Sequence, residues 1–256
     1  MLNRSHSCIP AWTCVRTSDP RNVNALGWLK VALFTVSLVP FVRLVVLGFE
    51  GGLGANPIEF ITHSTGFWTL TFLCITLTVT PMRRLTGWQW LVRLRRMIGL
   101  FAFFYAVLHF VTYVWFDQWF ALDDILADVW KRPFITVGFA AFLIMSALAF
   151  TSTHWMKRRL GRRWARLHTL IYPTIILGVL HFWWLKQDKN DLAEPWLFAW
   201  IVAALLLFRI LLPYWHRLFP KHARDRRRAA TVMQQASARV ESRPDPLQPG
   251  HGTRRH

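Results

Sequence analysis

The sequence predicts an all-α, polytopic membrane protein whose fold is a bundle of six transmembrane helices. Hydrophobic residues make up 54% of the 256 residues, whereas charged residues reach only 17%, below the ~25% usual in soluble domains. Six apolar runs lie between two polar ends, and each is close to the ~20 residues that cross a hydrocarbon core. Because lipid offers backbone amides no water, each run is expected to form an α-helix.

The expected spans follow one another along the middle of the chain. They are 28–49, 60–82, 97–116, 133–156, 167–185 and 195–215. None of the six contains Asp or Glu, although Arg43 interrupts the first and Arg209 the sixth. This organisation predicts one membrane domain over residues 28–216.

The two ends of the chain are expected to lie outside that domain. Residues 1–27 are polar and lack the apolar core of a signal peptide, which predicts a disordered cytoplasmic extension. Residues 217–256 are basic and lack apolar periodicity, which predicts a disordered cytoplasmic tail. The cysteines form no C-x-x-C pair, so neither a disulfide framework nor a cysteine metal site is expected.

The distribution of basic residues predicts the topology. The formal net charge is +18; in a soluble protein this would suggest nucleic acid, but here the loops account for it and no nucleic-acid partner is expected. The loop after the second span carries five Lys or Arg and the loop after the fourth carries six, whereas the other three carry zero, two and two. Basic loops stay in the cytoplasm, so both termini are predicted to be cytoplasmic.

Three histidines within the spans are the candidate functional residues. His109 and His181 fall in the outer halves of the third and fifth spans, at similar depth, and His168 lies thirteen positions before His181, or ~20 Å along a helix. Two imidazoles at one depth can hold a b-type haem from both faces, which leaves no open iron position and suits electron transfer. Spacing alone also permits two ordinary buried histidines, each hydrogen-bonded within the bundle.

Several ordered motifs carry a family resemblance. The stretches THSTGFWTL, RLRRMIGLFAFFYAVLHFVTY, RPFITVGFAAFLIMSALAFTST and KRRLGRRWARLHTLIYPTIILGVLHFWW, within the six-span layout, resemble the MsrQ (YedZ) family over residues 26–216. That family supplies the haem-binding membrane subunits of a bacterial periplasmic system that repairs methionine sulfoxide. It belongs to the broader ferric-reductase-like transmembrane group.

The resemblance implies a cofactor, partners and a location. It implies that His109, His168 and His181 stand where the haem-associated histidines of the family stand. It implies a periplasmic molybdopterin partner, MsrP, that carries out the sulfoxide reduction, and an electron donor that is either the quinone pool or a cytoplasmic flavin reductase. Whether the chain is itself an enzyme stays open. FMN is also attributed to the family, and the expected location is the bacterial inner membrane.

One departure from the wider group concerns the inner end of the bundle. Two-haem members carry a histidine fourteen positions before the residue that His109 matches, and here that position is Arg95. We therefore expect one well-ligated haem near the outer side, and a second haem and a flavin both remain open at the inner side. Arg95 and Arg96, with the arginines of the loop after the fourth span, are candidates to hold a flavin phosphate or haem propionates. Their alternative role is to set topology and contact anionic lipid.

The sequence is compatible with three classes of function. The preferred one is a membrane cytochrome that passes electrons through haem to a periplasmic partner. A proton-coupled transporter or relay using the same histidines is the alternative, although the absence of acids from the expected spans argues against it. A structural subunit without a cofactor is the third. No G-x-G-x-x-G occurs, so the chain is not expected to oxidise NADPH itself.

Overall fold

The computed structural model describes residues 20–117, 119–187, 191–218 and 231–235. The chain divides into two compact units, residues 1–206 and 207–256. The described part of the second unit consists of the end of the last long helix and a short helical segment at 231–235. Most of the two expected disordered ends lies outside the described residues, so their disorder stays a prediction.

Helices account for most of the described residues, which contain no β-strand. They are α1 (Pro20–Phe49), α2 (Pro57–Thr86), α3 (Leu91–Thr112), α4 (Leu122–Lys131), α5 (Pro133–Phe150), α6 (His154–Leu160), α7 (Arg162–Leu167), α8 (Ile171–Gln187) and α9 (Ala193–Leu218). A π-helical turn, Tyr113–Asp117, extends α3, and a 3-10 turn, His168–Leu170, joins α7 to α8. The all-α prediction is confirmed.

Six stretches are long and apolar enough to cross a membrane, which confirms the predicted number. They are Gly27–Phe49, Pro57–Thr86, Leu91–Phe116, Pro133–Phe150, Arg162–Gln187 and Ala193–Leu211. The first agrees closely with the predicted span, although α1 itself begins at Pro20, within the expected extension. The protein is therefore a multi-pass membrane protein.

The fourth predicted span is too long at its end. It was expected to continue to residue 156, but α5 ends at Phe150 and α6 starts at His154. The hydroxyl of Thr153 accepts a hydrogen bond from the backbone N–H of Met156 and caps α6. A local cap thus starts a new helix where apolar composition alone predicted a continuous one.

The fifth span is not one straight helix either. The 3-10 turn at His168–Leu170 precedes α8, in whose first turn Pro173 lies. Proline has no N–H to donate and its ring clashes with the carbonyl four residues earlier, so the α-helical pattern cannot run through this point unchanged. His168 and His181 therefore do not lie on one straight α-helix.

Aromatic stacking joins the central helices. α2 packs along α3, and α5 packs along α8. The ring of Phe72 on α2 stacks on Tyr105 of α3, with 5.3 Å between centroids and 11° between planes. Tyr105 is fully buried, and its hydroxyl donates to the carbonyl of Ser37 and accepts from the N–H of Phe41, which ties α1 to this core.

Acidic residues lie in the first turns of two spanning helices, which corrects an expectation from the sequence. The spans were expected to contain no Asp or Glu, but α2 starts at Pro57 and includes Glu59, and α9 starts at Ala193 and includes Glu194. Both lie in the first turn, where a negative charge is stabilised by the positive end of the helix dipole. The acids therefore lie at the ends of the spans rather than in their middle.

Candidate functional site

A cavity of about 670 Å³ lies between α2, α3, α4, α5 and α8. Its deep end is formed by residues such as Leu73, Met145 and Thr174, and its other end is formed by polar residues that include Asn56 and Lys186. The lining is mostly apolar and aromatic. This volume lies within the ~300–1,000 Å³ typical of small-molecule and cofactor sites.

His109 of α3 and His181 of α8 both line this cavity and face each other across it. Their ring centroids lie 6.1 Å apart, and the ring planes make an angle of 82°. A metal–imidazole bond measures about 2 Å, so two such bonds and the radii of two rings together span about 6 Å. The pair is spaced to ligate one metal ion from opposite sides.

Both imidazoles are held through the same ring nitrogen. Nδ1 of His109 lies 2.9 Å from the carbonyl oxygen of Thr62, and Nδ1 of His181 lies 2.7 Å from the carbonyl oxygen of Phe134. A carbonyl can only accept, so each Nδ1 carries the proton and donates. Each Nε2 consequently keeps its lone pair for a metal, which is the usual arrangement of a metal-binding histidine and its supporting hydrogen bond.

Two glycines leave the space that the two imidazoles occupy, and these glycines were not predicted from the sequence. A Cβ at Gly66 would lie 3.1 Å from Cε1 of His109, and a Cβ at Gly138 would lie 2.7 Å from Nδ1 of His181. Isolated glycines within helical patterns, as in THSTGFW and ITVGFAA, were the available signal. Two further small residues, Ala106 and Gly178, also line the cavity.

A charged cluster lies at the polar end of the cavity. Nε2 of His63 lies 3.6 Å from a carboxylate oxygen of Glu194, and Nζ of Lys186 lies 3.7 Å from the same oxygen and 2.9 Å from Oδ2 of Asp191. The hydrogen bond from Lys186 lowers the pKa of the Asp191 carboxyl below its usual range. Oγ1 of Thr62 is buried in the cavity wall and has no hydrogen-bond partner among the described residues, so it is available to a bound ligand.

His168 is not part of this cavity. Its ring stacks on Trp164, with 4.0 Å between centroids, and its Nδ1 donates to the Trp164 carbonyl at 3.1 Å. Arg95 is close enough to interact with it electrostatically. The structure thus brings His109 and His181 together, and places His168 with Arg95 in a different environment.

The candidate arginines do not form a single site. Nε of Arg96 donates to the hydroxyl of Ser152 at 3.3 Å. Arg159, Arg162 and Arg163 line a separate cavity of about 460 Å³ with Met156 and Leu160. Gly161, with φ of +50°, makes the turn between α6 and α7 that brings these arginines around one space.

Comparison with known proteins agrees with this architecture. Residues 64–179 match the family described as ferric reductase like transmembrane component, a range that includes His109 and His168 and ends just before His181. Over these residues the chain is similar to ferric-reductase-like transmembrane proteins, and its six spans agree with that class.

Comparison with individual relatives assigns the chain to a more specific family. The chain is 56% identical over 186 residues to the protein-methionine-sulfoxide reductase heme-binding subunit MsrQ of Herminiimonas arsenicoxydans, covering 72% of this chain and 85% of the relative. It is 52% identical to the protein of that name from Bordetella pertussis, covering 77% and 96%, and 44% identical to that from Xanthomonas euvesicatoria, covering 89% and 96%. The chain belongs to the MsrQ family.

Proposed function

We propose that this protein is a membrane cytochrome b subunit that holds one haem between His109 and His181 and passes electrons to a periplasmic methionine-sulfoxide reductase. The observation that carries the proposal is the 6.1 Å separation of two cavity-lining imidazoles. The relatives named above are heme-binding subunits of such a system.

The residues of the cavity fit a haem. A haem iron held by two imidazoles supplies one-electron transfer and offers no open position to a substrate. The carbonyls of Thr62 and Phe134 orient the two rings, and the aromatic lining excludes water from the space between them. The Thr62 hydroxyl and Lys186 provide polar partners for the acidic edge of the ligand.

The two sides of the bundle have opposite charge, which supports a direction for the electrons. The arginine-rich loops would face the cytoplasm under the positive-inside rule, with both termini on that side of the bacterial inner membrane. The polar end of the haem cavity would then face the periplasm, where a molybdopterin partner such as MsrP would accept electrons and reduce the sulfoxide. The donor would be membrane quinol or a cytoplasmic flavin reductase.

Electron input is proposed at the arginine-rich side. Arg95 lies near His168, and Arg159, Arg162 and Arg163 line a cavity whose described lining contains no acidic residue. Arginine binds phosphate through paired hydrogen bonds, so the phosphate of FMN suits this cavity. A second haem near His168 is the competing occupant, and measuring haem and FMN per chain decides between them.

A titrating transporter is less well supported. The acids that the structure adds to the spanning helices, Glu59 and Glu194, lie in first turns rather than at mid-membrane. Transport relays place such groups within the span. The absorption spectrum separates the classes, because neither a transporter nor a structural subunit requires a haem Soret band.

The decisive test uses the full chain purified in detergent, with a pyridine haemochrome assay and an absorption spectrum. His109→Ala and His181→Ala should each abolish most of the low-spin haem signal, because each removes one axial ligand. His154→Ala is the matched control, since His154 begins α6 outside the cavity. Full haem content in both ligand variants would refute the proposal.

A further inference from the structure

The carbonyl and the glycine that contact each cavity histidine are related by the same spacing. On α2, the carbonyl of Thr62 accepts from His109 and Gly66 stands four residues later; on α5, the carbonyl of Phe134 accepts from His181 and Gly138 stands four residues later. In an α-helix the side chain at position i+4 leans back toward the N-terminus, over the carbonyl of residue i. A glycine at i+4 therefore uncovers that carbonyl.

The spaces left by these glycines are filled by the imidazoles themselves. A Cβ at Gly66 would meet Cε1 and Nδ1 of His109 at 3.1 and 3.2 Å, and a Cβ at Gly138 would meet Nδ1 and Cε1 of His181 at 2.7 and 2.8 Å. An imidazole is rigid and planar, so it cannot avoid such a contact by bending. It has to shift or rotate, and either movement disturbs the hydrogen bond made by Nδ1.

That hydrogen bond fixes how each ring is turned. Once Nε2 is directed at a shared centre, the remaining freedom of an imidazole is rotation about the line through Nε2, and the Nδ1–carbonyl bond removes it. The accepting carbonyls belong to different helices, and the two ring planes make an angle of 82°.

We propose that Gly66 and Gly138 are positioning residues that set the near-perpendicular orientation of the two axial imidazoles, and thereby the electronic state of the haem iron. The inference rests on the proposed haem site. Perpendicular imidazole planes interact equally with two of the iron d orbitals, whereas parallel planes split those orbitals. A ferric low-spin haem in this protein should therefore give a strongly anisotropic electron paramagnetic resonance signal, with one large g value, rather than a rhombic one.

The same arrangement acts on the reduction potential. A hydrogen bond donated by Nδ1–H to a carbonyl makes the imidazole a stronger electron donor, which favours ferric iron. Weakening that bond should raise the midpoint potential, because the oxidised state loses more stabilisation than the reduced state. Hydrogen bonding around the axial ligands is one of the means by which a protein adjusts its haem.

The test compares three glycine variants by electron paramagnetic resonance, redox titration and haem content in detergent-purified protein. Gly66→Ala requires a shift of a few tenths of an ångström and should retain haem, with a less anisotropic signal and a higher potential. Gly138→Ala, where the contact is closer, should show the larger change or lose haem. Gly99→Ala on α3 is the control, since its Cβ would meet Thr76 at an ordinary 3.7 Å.

The outcomes are distinct. An anisotropic wild-type signal that becomes more rhombic in Gly66→Ala, with no change in Gly99→Ala, supports the inference. A rhombic wild-type signal, or a Gly66→Ala protein with unchanged signal and potential, overturns it and leaves the haem site intact. If Gly138→Ala loses its haem, the signal and the potential of Gly66→Ala decide whether the inference holds. Wild-type protein without haem overturns the proposed function and this inference with it.

Discussion

The hydroxyl of Tyr105 lies 2.8 Å from the carbonyl oxygen of Ser37 and 3.2 Å from the backbone nitrogen of Phe41. Ser37 and Phe41 are four residues apart on α1, so a side chain of α3 stands between two groups that would otherwise bond within α1. Pro40 lies beside them. Insertion of a side chain into the backbone ladder is a known cause of helix bending.

Tyr105→Phe should destabilise the bundle while leaving the two proposed haem ligands in place. The change deletes both hydrogen bonds of the hydroxyl, and hydrogen bonds between helices in membranes contribute roughly 0.6 kcal/mol, up to about 1.7 kcal/mol. Thermal unfolding in detergent should show a lower midpoint. Thr35→Val is the control, because the Thr35 hydroxyl bonds only within its own helix; an equal effect of both changes would contradict a tertiary role for Tyr105.

The haem should be bound without a covalent link. The sequence contains no C-x-x-C-H for thioether attachment, and the histidines proposed as ligands would hold the iron by coordination. Acidified acetone should therefore extract all haem from the purified protein. Haem that stays on the polypeptide in a denaturing gel would contradict this mode of binding.

His168→Ala should leave most of the low-spin haem signal unchanged. His168 stacks on Trp164 and does not line the cavity that contains His109 and His181. The measurement is the Soret and α-band spectrum per chain, compared with His109→Ala. A loss equal to that caused by His109→Ala, in a protein of unchanged thermal stability, would show one interdependent site instead of two.

Replacing both Arg95 and Arg96 with Gln should slow haem reduction severalfold while the haem spectrum is retained. Arg95 lies near His168, and Nε of Arg96 donates to the Ser152 hydroxyl, on the side proposed for electron input. His109 is fourteen residues from Arg95 along α3, which is ~20 Å. Stopped-flow reduction by the donor, with bound FMN measured in parallel, provides the test.

The matched control for this pair is Arg83→Gln with Arg84→Gln at the end of α2. These residues belong to the same basic side but to another helix end. If both double variants slow reduction equally, the effect comes from overall charge. If neither does, the role of Arg95 and Arg96 is limited to topology.

Local chemistry was sufficient to predict the helical class and the number of spans. Apolar runs of spanning length have one stable backbone conformation in lipid, so the six spans could be predicted without knowledge of their packing. The boundaries were less certain, because they depend on local caps and breaks. Thr153 caps a new helix, and Pro173 interrupts the fifth span. Two spanning helices begin earlier than predicted, so that their first turns include Glu59 and Glu194.

The sequence by itself determined that His109 and His181 lie at similar depth, because depth in a membrane follows from position along a helix. Only the tertiary structure decided that the two rings face each other at 6.1 Å, that Thr62 and Phe134 hold them, and that Gly66 and Gly138 give them room. It also separated His168 from the pair. The physical reason is that rotation about a helix axis and contact between helices depend on the packing of whole elements, which no single span specifies.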